Sequence, residues 1–402
     1  MIWAMSSSVD LTGAVSPWRI PTPETILAVG GHLKACFALA AKGTIRTSPV
    51  LGDLELPAVR DAYVDAVRAA VDRLDAPPSI VACDRHPDYA TSRLAEEWAG
   101  AWGADLVRVQ HHHAHFAALL LEDGHAMADS APVIGIVFDG TGYGEDGTIW
   151  GGEFLVGDRR RVVRRARLRP APLQGGEAAI REPWRLALGR LFDARSLDDS
   201  LDPGRVLSRI PALKRDAVAT MIARRLHAPL SSSAGRLFDA VAALIMGHDE
   251  VSTEAEGAIA LQRLAETAPP DTGNEPFPFE ILAPERPLAP WTIETRPLIL
   301  GIVEALDRES SSLIARRFHV TLAAMIEATV ERLAEETTAP SPRRVGLSGG
   351  VFANRLLADL TKARLVAAGF EVLEGRTIPC GDAGLALGQI NAAWKNKEAD
   401  SN

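Results

Sequence analysis

Apolar residues group along this chain in two rhythms. Short runs such as Ile26-Leu-Ala-Val29, Ser79-Ile-Val-Ala-Cys83, Leu106-Val-Arg-Val109, Val133-Ile-Gly-Ile-Val-Phe138 and Arg344-Val-Gly-Leu347 predict buried strands. Between them, Asp61 to Leu74 and Thr91 to Trp102 space their apolar residues at three and four, which predicts amphipathic helices. Thr148 to Val156 reads as a strand returning from a glycine-rich tip. Residues 181–265 are mostly helical in pattern, and Pro269 to Pro297 is Pro-rich and irregular with short edge strands. Leu298 to Glu336 reads as helix stopped by Pro340, a further helix starts at about Asn354, and Ala383 to Trp394 forms the last. Residues up to about Pro23 read as an irregular leader. The alternation of strand and helix predicts an α/β architecture. A strand followed by a loop of small residues occurs at 133–142 and again at 344–350, a loose echo suited to a duplicated nucleotide-binding fold.

Length adds a prior of two to three domains at about 150 residues each. With 47% hydrophobic and 24% charged residues the chain is globular in composition. Its net charge of −9 disfavours general nucleic-acid binding and anionic membrane surfaces, which both need clustered Lys and Arg. Three dispersed cysteines, Cys36, Cys83 and Cys380, build neither a disulfide framework nor a Cys-rich zinc site. Met1 to Pro17 contains no Lys or Arg and no long apolar run, and no stretch approaches a membrane span, so a cytoplasmic setting is expected.

Candidate chemistry concentrates in a few segments. His111-His-His-Ala-His115 places two imidazoles at i, i+4 on one helix face, about 6 Å apart, a spacing suited to two ligands of one metal ion. A solvated polar helix start fits the same residues. Gly142-Tyr-Gly-Glu-Asp-Gly147 formally matches a dinucleotide fingerprint, but strand-type residues follow it, so the hairpin tip is the better reading. There small residues let backbone N–H groups approach an anion, with Thr141 adding a hydroxyl. An ordinary glycine-rich turn is the alternative. Asp139, at a buried strand end, is a candidate metal ligand or charge partner. Ser348-Gly-Gly-Val-Phe-Ala-Asn354 offers a second cradle at a strand-to-helix junction, or a tight turn needing positive φ. Asp382 precedes the last helix and fits an N-cap as well as a ligand. Cys380 fits inert packing better than a nucleophile. Ser231-Ser-Ser-Ala-Gly-Arg-Leu-Phe-Asp239 joins Gly, Arg and Asp, or simply begins a helix.

Taken in order, the histidine cluster, Asp139 to Phe154, Arg181-Glu-Pro-Trp-Arg185, Gly235 to Ala242, Leu347 to Asn354 and Ala386-Leu-Gly-Gln389 resemble the C-terminal module of the HypF family of hydrogenase-maturation carbamoyltransferases. Leu27-Ala-Val-Gly30, Gly52-Asp-Leu-Glu55 and Cys83-Asp-Arg-His-Pro-Asp-Tyr89 fit it too, so the resemblance runs from about Ile26 to Trp394. It implies a two-lobed α/β fold of the actin-like ATPase and sugar-kinase type, with a nucleotide and metal cleft between the lobes. The lobes would be residues 25–130 and 131–402, after a leader over 1–24, with the last helix packing back on the N-terminal lobe as an option. By motif match, the metal ligands are His111, His115, Asp139 and Asp382, holding Fe²⁺ or Zn²⁺. The nucleotide contacts are Gly140, Thr141, Gly142, Tyr143, Asp239, Gly257, Ser348, Gly349, Gly350 and Asn354.

The reaction implied is carbamoyl transfer from carbamoyl-adenylate, made from ATP and carbamoyl phosphate, to the C-terminal cysteine of a HypE-like acceptor. No residue of this chain need be a covalent nucleophile. Two departures stand out. The family's histidine in Ser-x-His-Ile-Gly-Asp is Val50 in Ser48-Pro-Val-Leu-Gly-Asp53, and the usual Asn-Asp-Gly-Gly reads Gly381-Asp-Ala-Gly384. The acylphosphatase, Cys-rich zinc and YrdC-like parts of full-length members have no counterpart here, which implies a stand-alone or truncated module served by a separate YrdC-like domain or protein. An O-carbamoyltransferase of small hydroxyl substrates, a non-catalytic nucleotide-binding adaptor and a non-haem iron oxygenase are the rival classes.

Overall fold

The computed structural model describes residues 14–124, 132–269, 271–336 and 343–394. The first 13 residues of the expected leader and the Pro340 helix stop lie outside these. The chain separates into two compact units.

The first unit is built on six strands: β1 (Ala14–Arg19), β2 (Ile26–Ala28), β3 (Ala38–Ala41), β4 (Thr44–Thr47), β5 (Ile80–Asp84) and β6 (Asp105–Val109), in the order β1-β4-β3-β2-β5-β6. Strands β2, β5 and β6 run parallel, as connections through α1 (Pro57–Val71) and α2 (Ala90–Trp102) require. Successive side chains on a strand point to opposite faces. Leu27, Val81 and Cys83 accordingly pack under α1 and α2 with Tyr63, Val67 and Trp98. Ile26, Ala28, Ile80 and Ala82 face Ala118, Leu121, Leu387, Ile390 and Trp394 on the other side. Burial on both faces is why these strands read as unbroken apolar runs. The second layer comes from α3 (His111–Glu122) and α13 (Leu385–Ala393).

The second unit carries a nine-stranded sheet. Its main path orders β12 (Glu280–Leu282), β13 (Trp291–Glu294), β9 (Val162–Leu168), β8 (Ile149–Gly157), β7 (Val133–Tyr143), β14 (Arg344–Ser348) and β15 (Glu371–Glu374). Two short strands, β10 (Ala171–Pro172) and β11 (Leu230–Ser231), pair off this path. Helices α4 (Glu177–Arg181), α5 (Trp184–Ala194), α6 (Pro203–Val206), α7 (Ala212–Arg224), α8 (Ala234–Met246), α9 (Glu256–Glu266), α10 (Arg296–Ala305), α11 (Ser311–Glu336) and α12 (Arg355–Ala367) complete it. Ile134, Ile136 and Phe138 of β7 pack with Leu237, Phe238 and Val241 of α8 and Phe318 and Leu322 of α11.

Several elements differ from the sequence expectations. Part of the expected leader, Ala14–Arg19, is an edge strand paired with β4. The β3–β4 hairpin was not expected, because Ala38–Ala41 carries little β-propensity; its turn is made by Lys42 and Gly43, both at positive φ (49° and 75°). Helix α1 starts at Pro57, four residues before the expected Asp61, since Pro is preorganised for a first helical turn. Strand β9 was hidden by its arginines, which Glu153 and Asp146 neutralise at Arg164. The expected helix over 298–336 is two, separated at Leu306–Ser310, where Ser310 Oγ accepts the Leu313 N–H at 3.3 Å. Finally, Asp158–Val162 groups with the first unit, and so do residues 374–394, the placement offered above as an option for the last helix. Trp394 and Ile390 are buried in that unit's core, and Arg159 Nη1 caps α13 through the carbonyls of Asn391 (3.1 Å) and Trp394 (3.0 Å).

Among the described residues, no helix is long and apolar enough to cross a membrane.

Candidate functional site

In the first unit, His111 follows β6 after a single residue. Gln110 caps α3, its Oε1 accepting the His113 N–H at 3.0 Å. This sharp start sets the His111 and His115 rings 4.9 Å apart between centroids, both buried. Asp84, the last residue of β5, lies opposite Val109 in the neighbouring strand. Its Oδ1 accepts the His86 N–H at 2.8 Å and its Oδ2 meets His111 Nδ1 at 2.8 Å. A carboxylate is an acceptor, so Nδ1 of His111 carries a proton, and in the neutral ring that a metal ligand must be Nε2 is the free nitrogen.

Helix α13 brings the third group. Its backbone runs so close to α3 that a Cβ on Gly388 would stand 1.8 Å from the Ala114 carbonyl oxygen. Gln389 locks the register by accepting the Gly30 N–H at 2.8 Å and donating to its carbonyl at 3.2 Å, and Asn391 donates to Ala117 O at 2.9 Å. Asp382 lies one short turn before α13, where Gly381 and Gly384 occupy the N-cap positions. Asp382 Oδ1 lies 3.6 Å from Nε2 of both His111 and His115.

These donors fit a metal. The distances of 3.6 Å are too long for hydrogen bonds and match the spacing of two ligands on one cation. Two ligand atoms each 2.0–2.1 Å from a tetrahedral cation stand about 3.4 Å apart. The ligand atoms of His111, His115 and Asp382 all lie within 4.8 Å of one another. A buried carboxylate holding the far nitrogen of a ligand histidine is the usual support of such a centre.

In the second unit, β7 and β8 form the hairpin expected from the glycine loop, with a register irregularity between Phe138 and Gly142. Asp139 sits at this irregularity, 7% exposed, and its Oδ1 accepts N–H groups of Gly140 (2.9 Å) and Gly350 (3.2 Å). One carboxylate oxygen thus ties both small-residue loops together. Gly349, at φ 93°, is glycine for packing, since a Cβ would fall 2.2 Å from Phe138 O. Ser348 pairs with Val137 and is buried. Ser233 caps α8 and also sits 2.8 and 2.6 Å from the carbonyls of Asp139 and Gly140. Gly235 then passes Gly140 so closely that a Cβ would lie 2.9 Å from its Cα. Asp239 follows one turn later, and a Cβ on Gly257 would lie 3.8 Å from its Oδ1. Burial pushes the Asp239 carboxyl up, against the opposing charge of Arg236. Gly140 thus lies against the start of α8 and Gly257 beside Asp239, one turn further along the same helix. Thr141 is half-buried and Tyr143 exposed along the hairpin, where Gly142 pairs with Trp150.

Asn354 is used by the fold. Its Oδ1 caps α12 at Leu357 N (3.0 Å) and its amide nitrogen donates to His319 Nε2 (2.9 Å). His319 Nδ1 donates to Ala315 O at 2.8 Å, so the ring is neutral, and burial lowers its pKa to about 4. The unfolded chain takes up that proton from pH 6.5 downward while the folded chain resists until about pH 4. Stability therefore falls as pH drops through this window, by an upper estimate of about 3 kcal/mol. Urea midpoints of wild type and His319→Asn at pH 7 and pH 4.5 should show a steeper loss in the wild type.

Val50 is 51% exposed and brings no polar side chain to the Ser48–Asp53 segment. The buried thiols of Cys36 and Cys83 are each raised to about 12, chiefly by burial, so neither is a nucleophile. Asp84 was not given a role from sequence, although a carboxylate closing a buried strand was a legible signal. Arg236 was noted only as part of the segment that joins Gly, Arg and Asp, without a role of its own.

Two family models match the chain: "HypF Kae1-like domain" over residues 21–122 and "Carbamoyltransferase, Kae1-like Domain, second subdomain" over residues 135–389. Carbamoyltransferase HypF of Rhodobacter capsulatus is 40% identical over 387 residues, 96% of this chain and 48% of the relative. A carbamoyltransferase HypF homolog of Cupriavidus necator is 37% identical over 92% of this chain and 90% of its own length. The crystal structure of a full-length HypF in a phosphate- and nucleotide-bound form superposes with a TM-score of 0.82 at 33% identity, covering 95% of this chain and 47% of that one. Apart from the Cupriavidus homolog, the chain spans about half the length of the curated relatives it matches. Two sheets in a mixed α/β chain and these superpositions establish the actin-like ATPase type of fold. The chain belongs to the HypF family, over the Kae1-like domains that these two models describe.

Proposed function

We propose that this chain transfers a carbamoyl group from carbamoyl-adenylate to the C-terminal cysteine thiol of a HypE-like acceptor, as a step in cyanide-ligand synthesis for nickel–iron hydrogenase. The observation that carries this reading is the convergence of His111, His115 and Asp382, with Asp84 behind His111. Asp139 is proposed as the fourth ligand on its motif match. A divalent cation, Fe²⁺ or Zn²⁺, would supply positive charge to the carbamoyl oxygen. The chain's part is to hold that charge in a fixed place: Asp84 sets the His111 tautomer, and the α3–α13 contact sets the spacing.

The acceptor thiolate attacks the carbamoyl carbon. A carbon–sulfur bond forms, the carbon–oxygen bond to the adenylate phosphate breaks, AMP leaves, and the thiol proton passes to solvent. The absence of a nucleophilic thiol at Cys36 and Cys83 agrees with sulfur supplied by the partner. The nucleotide reading seats phosphate near Gly140, Thr141, Gly142, Tyr143, Ser348, Gly349 and Gly350, and the nucleoside toward Asp239 and Gly257. Asn354 then acts by shaping the second loop rather than through its engaged amide. Donor synthesis falls to a separate YrdC-like domain or protein.

Mass spectrometry of the acceptor tests this. With carbamoyl-adenylate and the chain, the acceptor should gain the mass of one carbamoyl group. Carbamoyl phosphate with ATP should give it only when a YrdC-like domain is added. An acceptor left unmodified by pre-formed carbamoyl-adenylate would favour the adaptor reading.

A further inference from the structure

Arg236 is a buried cation whose bonding is incomplete. It lies in the first turn of α8 and is 8% exposed. Its Nη1 stands 3.1 Å from Asp239 Oδ2 as an ion pair, but without hydrogen-bond alignment. Its Nε is buried with no acceptor among the described residues. Buried guanidinium groups in folded proteins are almost always paired and fully bonded, because desolvating them is costly. The position makes matters worse, since a helix N-terminus already carries partial positive charge.

The side chain also has a direction. A Cβ built on Gly140 would meet Arg236 Nη2 at 3.5 Å and, its chain neighbours aside, nothing else within 4 Å. Open space therefore lies over Gly140 on the side that the guanidinium faces. Ser233 and the close passage of Gly235 fix that relation by tying the start of α8 to the Gly140 loop. Positive charge, unused donors and an open glycine surface meet at one point.

We propose that Arg236 is the phosphoryl contact of this unit, donating to non-bridging oxygens of a phosphate seated over Gly140 and so selecting nucleotides over nucleosides. The assignment rests on the nucleotide reading above and names the residue that gives it charge selectivity. A phosphoryl oxygen completes the bonds that Asp239 leaves unmade, and Asp239 holds the guanidinium in place.

Calorimetric titration of the whole chain with AMP, ADP, adenosine and inorganic phosphate tests it. The wild type should bind AMP and ADP at least tenfold more tightly than adenosine. Arg236→Met should lose on the order of 10- to 100-fold for AMP and ADP, the worth of a charged hydrogen bond, and leave adenosine unchanged. Arg236→Lys should recover part of that loss. Inorganic phosphate competing with AMP but not with adenosine would place the phosphoryl group as proposed. An Arg236→Met chain that binds AMP like wild type, or that loses adenosine equally, would overturn the assignment while leaving the nucleotide reading intact. Should Arg236→Met not fold, the wild-type comparison still decides, because equal affinity for AMP and adenosine overturns it. Binding of none of the four would bring down the nucleotide reading itself.

Discussion

Replacing Gly388 by alanine should lower the stability of the chain by about 2–4 kcal/mol and weaken metal binding with it. In a helix interior this change ordinarily helps, by about 1 kcal/mol. Here the new Cβ would stand 1.8 Å from Ala114 O and 3.0 Å from Ala118 N, both backbone atoms of α3. Neither can swing away as a side chain would, so α13 must move off α3, with the cost of overpacking and of lost contacts. The same displacement carries Asp382 from His111 and His115. Gly100, inside α2, has nothing within 4 Å of its added Cβ. Gly100→Ala should therefore be neutral or stabilising, and denaturant midpoints of the two variants side by side check the contrast. Equal midpoints would mean that α3 and α13 do not pack as described.

His115→Ala should cut the metal content of the purified chain on the order of tenfold or more. His115 contributes one of the two imidazoles that meet Asp382 Oδ1, and no other described side chain is placed to substitute for it in that trio. Asp84→Asn should fold and still bind, but 10- to 100-fold more weakly, as expected when the support of a ligand histidine is altered. The amide can offer its NH₂ to His111 Nδ1, which would drive the ring proton toward the metal side. His113 points elsewhere, its Nε2 held at 2.8 Å by Arg159 O, so His113→Ala should keep one metal per chain. Elemental analysis after dialysis reads all three. Undiminished metal in His115→Ala would remove that residue from the ligand set.

Part of the candidate site's local geometry is legible in the sequence. The i, i+4 pair His111 and His115 is, because helix periodicity is a local property. The hairpin reading of the glycine loop is too, since the strand-type residues after Gly147 are adjacent in sequence. Asp84 was visible as a strand-end carboxylate but not as a partner of His111, 27 residues later. Arg236 could be read equally as the beginning of a helix. Asn354 was read as a nucleotide contact, and the structure adds that its side chain caps α12 and holds His319.

What the sequence by itself determined were the properties that depend on near neighbours: apolar runs for strands buried on two faces, the glycines at turns, the paired histidines. Tertiary structure alone decided which distant groups meet. It placed Asp382 beside His111 and His115 of α3, drew the 158–162 segment into the first unit, and left Arg236 buried beside Gly140. The physical reason is that backbone preferences and periodicity act over a few residues. The choice of a partner hundreds of residues away is made by packing, at contacts such as Gly388 on Ala114 that a sequence pattern does not encode.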